Sequence, residues 1–86
     1  MPLRADDLRR FLHEELGLPP DPAGDRLGDQ APLFSSGRLD SHSMIELLAY
    51  LEAEVGRRPT WSDVHLENMD SVEKIMRYGA VLAARG

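Results

Sequence analysis

The chain has no cysteine and no long apolar run, and these two absences exclude several kinds of protein. Without cysteine, its 86 residues can form neither disulfides nor thiolate metal sites. No apolar segment approaches the roughly 20 residues that span a bilayer. The opening MPLRADDLRR also lacks the apolar centre of a signal peptide. We therefore expect a soluble cytoplasmic protein with no membrane span.

Basic residues are also few, and they are scattered along the chain. Ten lysines and arginines face fifteen acidic residues, which gives a net charge of −5. Nucleic-acid binding depends on neutralising phosphates, so this balance disfavours it and favours protein partners that present arginine or lysine. His13, His42 and His65 lie in separate segments without the spacing of metal ligands, so we expect no metal site.

What the chain does contain is helical periodicity, in three segments of one domain spanning residues 1–86. Apolar residues recur at three- and four-residue steps. The segments are Leu3–Leu16 (stopped by Gly17), Ser41–Val55 (stopped by Gly56) and Ser71–Ala84 (opened by a capping box at 70–73). A short helical turn is expected near Asp63–Glu67. The prediction is an all-α fold: a small four-helix bundle with three main helices, one short helix and a long first loop.

The first loop holds more than twenty residues rich in proline, glycine and aspartate. A structureless connection of that length is unusual inside a compact domain. The loop also contains four apolar residues: Leu27, Leu33, Phe34 and Leu39. We therefore expect the loop to be pinned over the core.

The middle helix has two distinct faces at 100° per residue. The predicted core stripe is Met44, Leu47, Leu48, Leu51 and Val55. The opposite side carries His42, Ile45, Glu46, Ala49 and Ala53, with Glu52 at its flank. Amphipathicity alone leaves two interpretations equally open: a functional surface, or a solvated face with one isolated isoleucine.

Ser41 and Ser43 flank His42 where this helix starts. Capping explains such serines on its own, because Asp40 and Ser41 are good N-caps and Ser43–Glu46 fits a capping box. A hydrolytic triad is excluded, since contiguous residues cannot reach one another as nucleophile, base and orienting group. We therefore expect no catalytic residue in this stretch.

Four landmarks in one register resemble the acyl carrier protein family, which includes peptidyl carrier proteins. They are Asp40-Ser41, Glu46-Leu47, Val55-Gly56, and Asp70-Ser71-Val72 with Ile75. The likeness covers nearly the whole chain. The stretch LFSSGRLDSHSMIELL is most similar to stand-alone aminoacyl and D-alanyl carriers.

The resemblance implies that Ser41, preceded by Asp40, carries 4′-phosphopantetheine added from coenzyme A by a phosphopantetheinyl transferase. Acyl or aminoacyl cargo would ride on the arm as a thioester. An adenylating ligase or acyltransferase would load it and downstream transfer enzymes would receive it, in specialised metabolism. Register with the family favours Ser41 over Ser43. The protein would then be a monomeric carrier and a substrate of enzymes.

Partner enzymes are expected to dock beside the arm, on the face of the helix that the core leaves free. The predicted docking residues are His42, Ile45, Glu46, Ala49 and Glu52. His42 replaces the apolar residue usual in the family, which puts that contact in doubt. A rival hypothesis is a small helical protein–protein docking module with no prosthetic group. It explains the two-faced helix equally well but makes the Asp40-Ser41 register a coincidence.

Overall fold

The structure, a computed structural model, describes residues 3–18 and 28–85. These ranges are helical and contain no strand, which is compatible with a small helical bundle. The elements are α1 (Ala5–Glu14), α2 (Ser41–Val55), a 3₁₀ turn (Trp61–Asp63), α3 (Leu66–Met69) and α4 (Val72–Ala84).

The core is centred on α4, which packs against the other three helices. The apolar periodicity of α1 predicted that Leu8 and Leu12 face the core, and both are fully buried. The core cluster comprises Leu8, Leu12, Leu18, Leu33, Leu39, Leu47, Leu51, Met69, Val72, Ile75, Tyr78 and Leu82. Leu18, Met69 and Tyr78 are the members that our apolar pattern did not include.

Polar caps set the ends of α2 and α4. Asp40 is the N-cap of α2, and its carboxylate accepts the Ser43 N–H at 3.0 Å. The predicted capping box at Ser43–Glu46 is wrong, because the helix already begins at Ser41. Gly56 ends α2 with φ 81, a left-handed conformation that glycine adopts without a Cβ clash. Ser71 caps α4 by accepting the Lys74 N–H, so the box predicted at 70–73 is wrong by one residue: Ser71, not Asp70, is the cap.

The short helix lies in a different place from the prediction. Instead of one turn near Asp63–Glu67, the chain forms a 3₁₀ turn and then the four-residue α3. Val64 and His65 separate the two pieces in extended or irregular backbone. The apolar pattern could not reveal this break, because the 3₁₀ turn has no buried residue.

The described part of the first loop is pinned to the core, as predicted. Leu33 and Leu39 are buried and Phe34 is half-buried, whereas Leu27 lies outside the described residues. Asp70 supplies the polar attachment. One carboxylate oxygen accepts the backbone N–H groups of residues 33, 34 and 35, and the other accepts the Ser35 hydroxyl at 2.6 Å.

Replacing Asp70 with asparagine is expected to lower the free energy of unfolding by about 1–3 kcal/mol at neutral pH. Burial alone would raise the pKa of Asp70, but hydrogen bonds from the 33–35 segment outweigh burial and lower it. A lowered pKa in the folded state stabilises the protein above the unfolded value of 3.8, and this contribution disappears as the pH falls through the folded value.

Denaturant titrations of wild type and Asp70→Asn across the acid range test this prediction. The gap between the two free energies of unfolding should narrow once the pH falls below the unfolded pKa. Ser35→Ala, which removes a single hydroxyl donor, should cost less than Asp70→Asn at neutral pH. A gap that stays constant into acid would contradict the role of the charged carboxylate.

Candidate functional site

The start of α2 holds Asp40 and Ser41 in different roles. Asp40 adopts an extended conformation and turns its carboxylate back onto the helix, where hydrogen bonds from Ser43, chiefly its backbone N–H, lower the pKa of Asp40. Ser41 is exposed at the first position of α2, whereas Ser43, two residues further along the helix, is half-buried. Ser41 therefore offers the more accessible hydroxyl.

The two faces of α2 lie as predicted, with one refinement. Leu47 and Leu51 are fully buried, while Met44, Leu48 and Val55 pack against the core as half-buried residues. On the opposite side Ile45 is 59 % exposed, and Ala49 and Ala53 are also exposed. The refinement is that Met44, Leu48 and Val55 sit at the edge of the core rather than within it.

The polar members of the exposed face make exposed side-chain contacts. His42 Nε2 lies 3.6 Å from Glu46 Oε1, and both side chains are exposed. Arg58 Nε lies 3.3 Å from Glu52 Oε1 and links α2 to the segment that follows it. Exposed pairs of this kind contribute little to stability and exchange readily with outside groups.

Ile45 and Ala49 form part of a groove between α2 and the segment before α3. We call this the Trp61 groove; its volume is about 270 Å³. Its lining is Ile45, Leu48, Ala49 and Glu52 from α2, and Arg58, Pro59, Thr60, Trp61 and Val64 from the following segment. Trp61 is 78 % exposed, which is unusual for so large an aromatic side chain.

The Trp61 groove lies on the same side of α2 as Ser41. At 100° per residue, Ile45, Leu48 and Glu52 each fall within about 40° of Ser41 around the helix axis. The predicted docking residues include Ile45, Ala49 and Glu52 of this lining, but the prediction assigned Leu48 to the core and missed Trp61. The available signal was a lone tryptophan within the polar segment RRPTWSDV.

Asp63 anchors the segment that carries Trp61. Its Oδ2 accepts hydrogen bonds from the Thr60 hydroxyl at 3.0 Å and the Tyr78 hydroxyl at 2.9 Å. Arg85 completes the set by donating to both carboxylate oxygens. These donors, Arg85 foremost, hold the pKa of Asp63 far below its usual range. Burial and the hydrogen bond to Asp63 raise the pKa of Tyr78 to about 12.

A second and larger cavity, about 550 Å³, lies between α1 and α2. There the Phe11 and Tyr50 rings stack with centroids 4.2 Å apart, and acidic side chains surround them. Tyr50 is nine residues after Ser41, so it points about 180° away around α2. This cavity therefore does not share a face with Ser41.

Within residues 3–18 and 28–85, no three histidine, aspartate or glutamate side chains are grouped so that they could hold a metal ion. Over the same ranges, no helix combines the length and the apolar character that crossing a membrane requires. No family model matches the chain, and no curated protein sequence matches it.

Proposed function

We propose that this protein is a stand-alone acyl or aminoacyl carrier that holds its cargo as a thioester on a 4′-phosphopantetheine arm attached to Ser41. The observation that carries the proposal is the exposed Ser41 at the first position of a capped, two-faced helix. The resemblance of the sequence to acyl and peptidyl carriers adds the register of four landmarks. The proposed fold is accordingly a four-helix bundle of the acyl-carrier type.

The residues around Ser41 fit the arm. The hydroxyl oxygen would form a phosphodiester bond to phosphopantetheine from coenzyme A, whose adenosine bisphosphate part would leave. A helix N-terminus favours a phosphate, because backbone N–H groups and the helix dipole both point toward it. Asp40 already turns its carboxylate onto the Ser43 N–H, so its charge is engaged within the cap. The arm supplies the thiol that this cysteine-free chain lacks.

The proposed role requires enzymes that act on Ser41 and its cargo in turn. These are a phosphopantetheinyl transferase, a loading ligase or acyltransferase, and downstream transfer enzymes. Each must contact the chain near Ser41 and then leave, which suits a small interface with one apolar contact and rim carboxylates. Ile45 would be the apolar contact, with Glu46 and Glu52 as the carboxylates.

Intact-mass measurement tests the function directly. The wild-type chain is incubated with coenzyme A and a phosphopantetheinyl transferase of broad specificity, and the expected result is a gain of one phosphopantetheine group. A chain that stays unmodified under conditions that modify a known carrier would overturn the proposal.

Replacing Ile45 with arginine is expected to lower kcat/KM of the transferase reaction about tenfold, because a cation would replace the apolar contact. Ala53→Arg is the matched control, since Ala53 is exposed on α2 but does not line the Trp61 groove. Circular dichroism should show unchanged helix content in both variants. Equal losses in the two variants, or no loss in Ile45→Arg, would move the docking surface elsewhere.

A docking module without a prosthetic group is the second candidate. The observation in its favour is the exposed pair Ile45 and Trp61 beside one groove, which a protein partner alone could cover. This candidate predicts no mass gain at any serine. The intact-mass measurement therefore separates the two functions.

A further inference from the structure

One wall of the Trp61 groove has little apolar support of its own. The 3₁₀ turn Trp61–Asp63 has no buried residue, and residues 60–62 are all exposed. Segments with few buried apolar contacts open locally at low free-energy cost. Polar contacts therefore help to hold Trp61 in its position.

Asp63 supplies those contacts and directs them to α4. Its side chain is only 13 % exposed, although the turn around it faces solvent. Tyr78, one of its donors, is a buried member of the core. Arg85, the other donor, is the C-cap residue of α4 and lies 22 positions after Asp63 in the chain. Besides the exposed Arg58–Glu52 pair with α2, the Trp61 wall is thus attached to α4 through the Asp63 carboxylate.

We propose that Asp63 is a positioning residue for partner docking: through Tyr78 and Arg85 it fixes Trp61 opposite Ile45 and so sets the shape of the groove. This inference rests on the proposed carrier function. The occupant we expect is an apolar side chain, flanked by a basic residue, of the enzyme that modifies Ser41. Charge argues for that partner, because Glu46 and Glu52 border Ile45 and the chain carries a net charge of −5.

The Asp63 carboxylate takes no part in the caps of α2 and α4 or in the attachment of the first loop. The caps of α2 and α4 use Asp40 and Ser71, and the first loop is attached through Asp70. Removing the Asp63 carboxylate charge should therefore release the Trp61 wall without melting the helices. A residue of purely structural importance would instead lower overall stability and leave docking to the folded fraction unchanged.

The single tryptophan makes the wall observable, because all indole fluorescence comes from Trp61. Asp63→Asn removes the carboxylate charge of the Asp63–Arg85 contact, and Arg85→Gln removes its guanidinium group. Both are expected to lower the steady-state anisotropy of Trp61 while circular dichroism shows unchanged helix content. Glu67→Gln is the matched control, since it removes one exposed carboxylate charge from the neighbouring α3. It should leave the anisotropy at the wild-type value.

The same three variants are then compared as substrates of the phosphopantetheinyl transferase with coenzyme A. For Asp63→Asn and Arg85→Gln we expect KM for the protein to rise about fivefold with kcat nearly unchanged, because docking rather than chemistry is impaired. Glu67→Gln should match wild type.

Unchanged anisotropy in both Asp63→Asn and Arg85→Gln would overturn the inference, and so would lowered anisotropy with an unchanged KM. A wild-type chain that accepts no phosphopantetheine overturns the proposed function instead. In that case the anisotropy comparison still decides whether Asp63 fixes Trp61.

Discussion

Replacing Ser41 with alanine is expected to abolish phosphopantetheine attachment, whereas Ser43→Ala should be modified like wild type. The attached group needs a hydroxyl oxygen, and alanine supplies none. Ser41 is exposed at the first position of α2, while Ser43 is half-buried and its N–H is held by Asp40. The measurement is the intact mass of both variants after treatment with the transferase and coenzyme A.

Neither substitution should disturb the fold, so loss of modification can be assigned to chemistry. Alanine is a good helix former, and the Asp40 cap that starts α2 does not use the Ser41 side chain. In Ser43→Ala the cap keeps its backbone bond, because the Ser43 N–H that Asp40 accepts remains. Matching circular dichroism spectra of the two variants would verify this. If modification survived in Ser41→Ala and disappeared in Ser43→Ala, the arm would be attached to Ser43 and our assignment to Ser41 would be wrong.

Local patterns in the sequence predicted most of the helical fold. Apolar spacing located the three main helices, and α2 matches its predicted span of Ser41–Val55. Gly56 was identified as its end because a left-handed residue is a common helix stop. Helix α1 is shorter than the predicted Leu3–Leu16 segment at both ends. Leu3 and Leu16 both pack against the core, but they do so from outside the helix.

Contacts between distant segments could not be predicted in the same way. Asp70 looked like part of a capping box, yet its carboxylate holds backbone groups 35 to 37 positions earlier in the chain. Arg9 is only 7 % exposed although it is charged, and it contacts Asp6 and Asp29. A periodic pattern describes one helix at a time, so it cannot pair Arg9 of α1 with Asp29 in the first loop.

The same reasoning explains which part of the candidate site was predicted. The exposed α2 face follows from the periodicity of one helix, and Ser41 was proposed from the resemblance to the carrier family. The Trp61 groove needs two segments and the Asp63 contact with α4, and no single stretch of sequence contains all three. Trp61 therefore became a candidate only once the fold placed it opposite Ile45.

Replacing Leu47 with alanine is expected to lower the free energy of unfolding by about 2–5 kcal/mol. Leu47 is fully buried on the face of α2 that packs into the core. The truncation removes apolar contacts and leaves a cavity that the surrounding side chains fill only in part. A domain of this size has only a few kcal/mol of stability to lose, so thermal unfolding should shift strongly.

Ile45→Ala is the matched control, because it truncates a branched aliphatic side chain on the same helix. Ile45 is 59 % exposed, and alanine has the higher helix propensity, so the change in stability should stay within about 0.5 kcal/mol. Leu48→Ala should fall between the two, since Leu48 is half-buried beside the Trp61 groove. Denaturant titration of the three variants gives the order Leu47, Leu48, Ile45 from largest loss to smallest. If Ile45→Ala proved more damaging than Leu48→Ala, α2 would pack with its faces reversed, and the surface beside Ser41 would be core rather than free for partners.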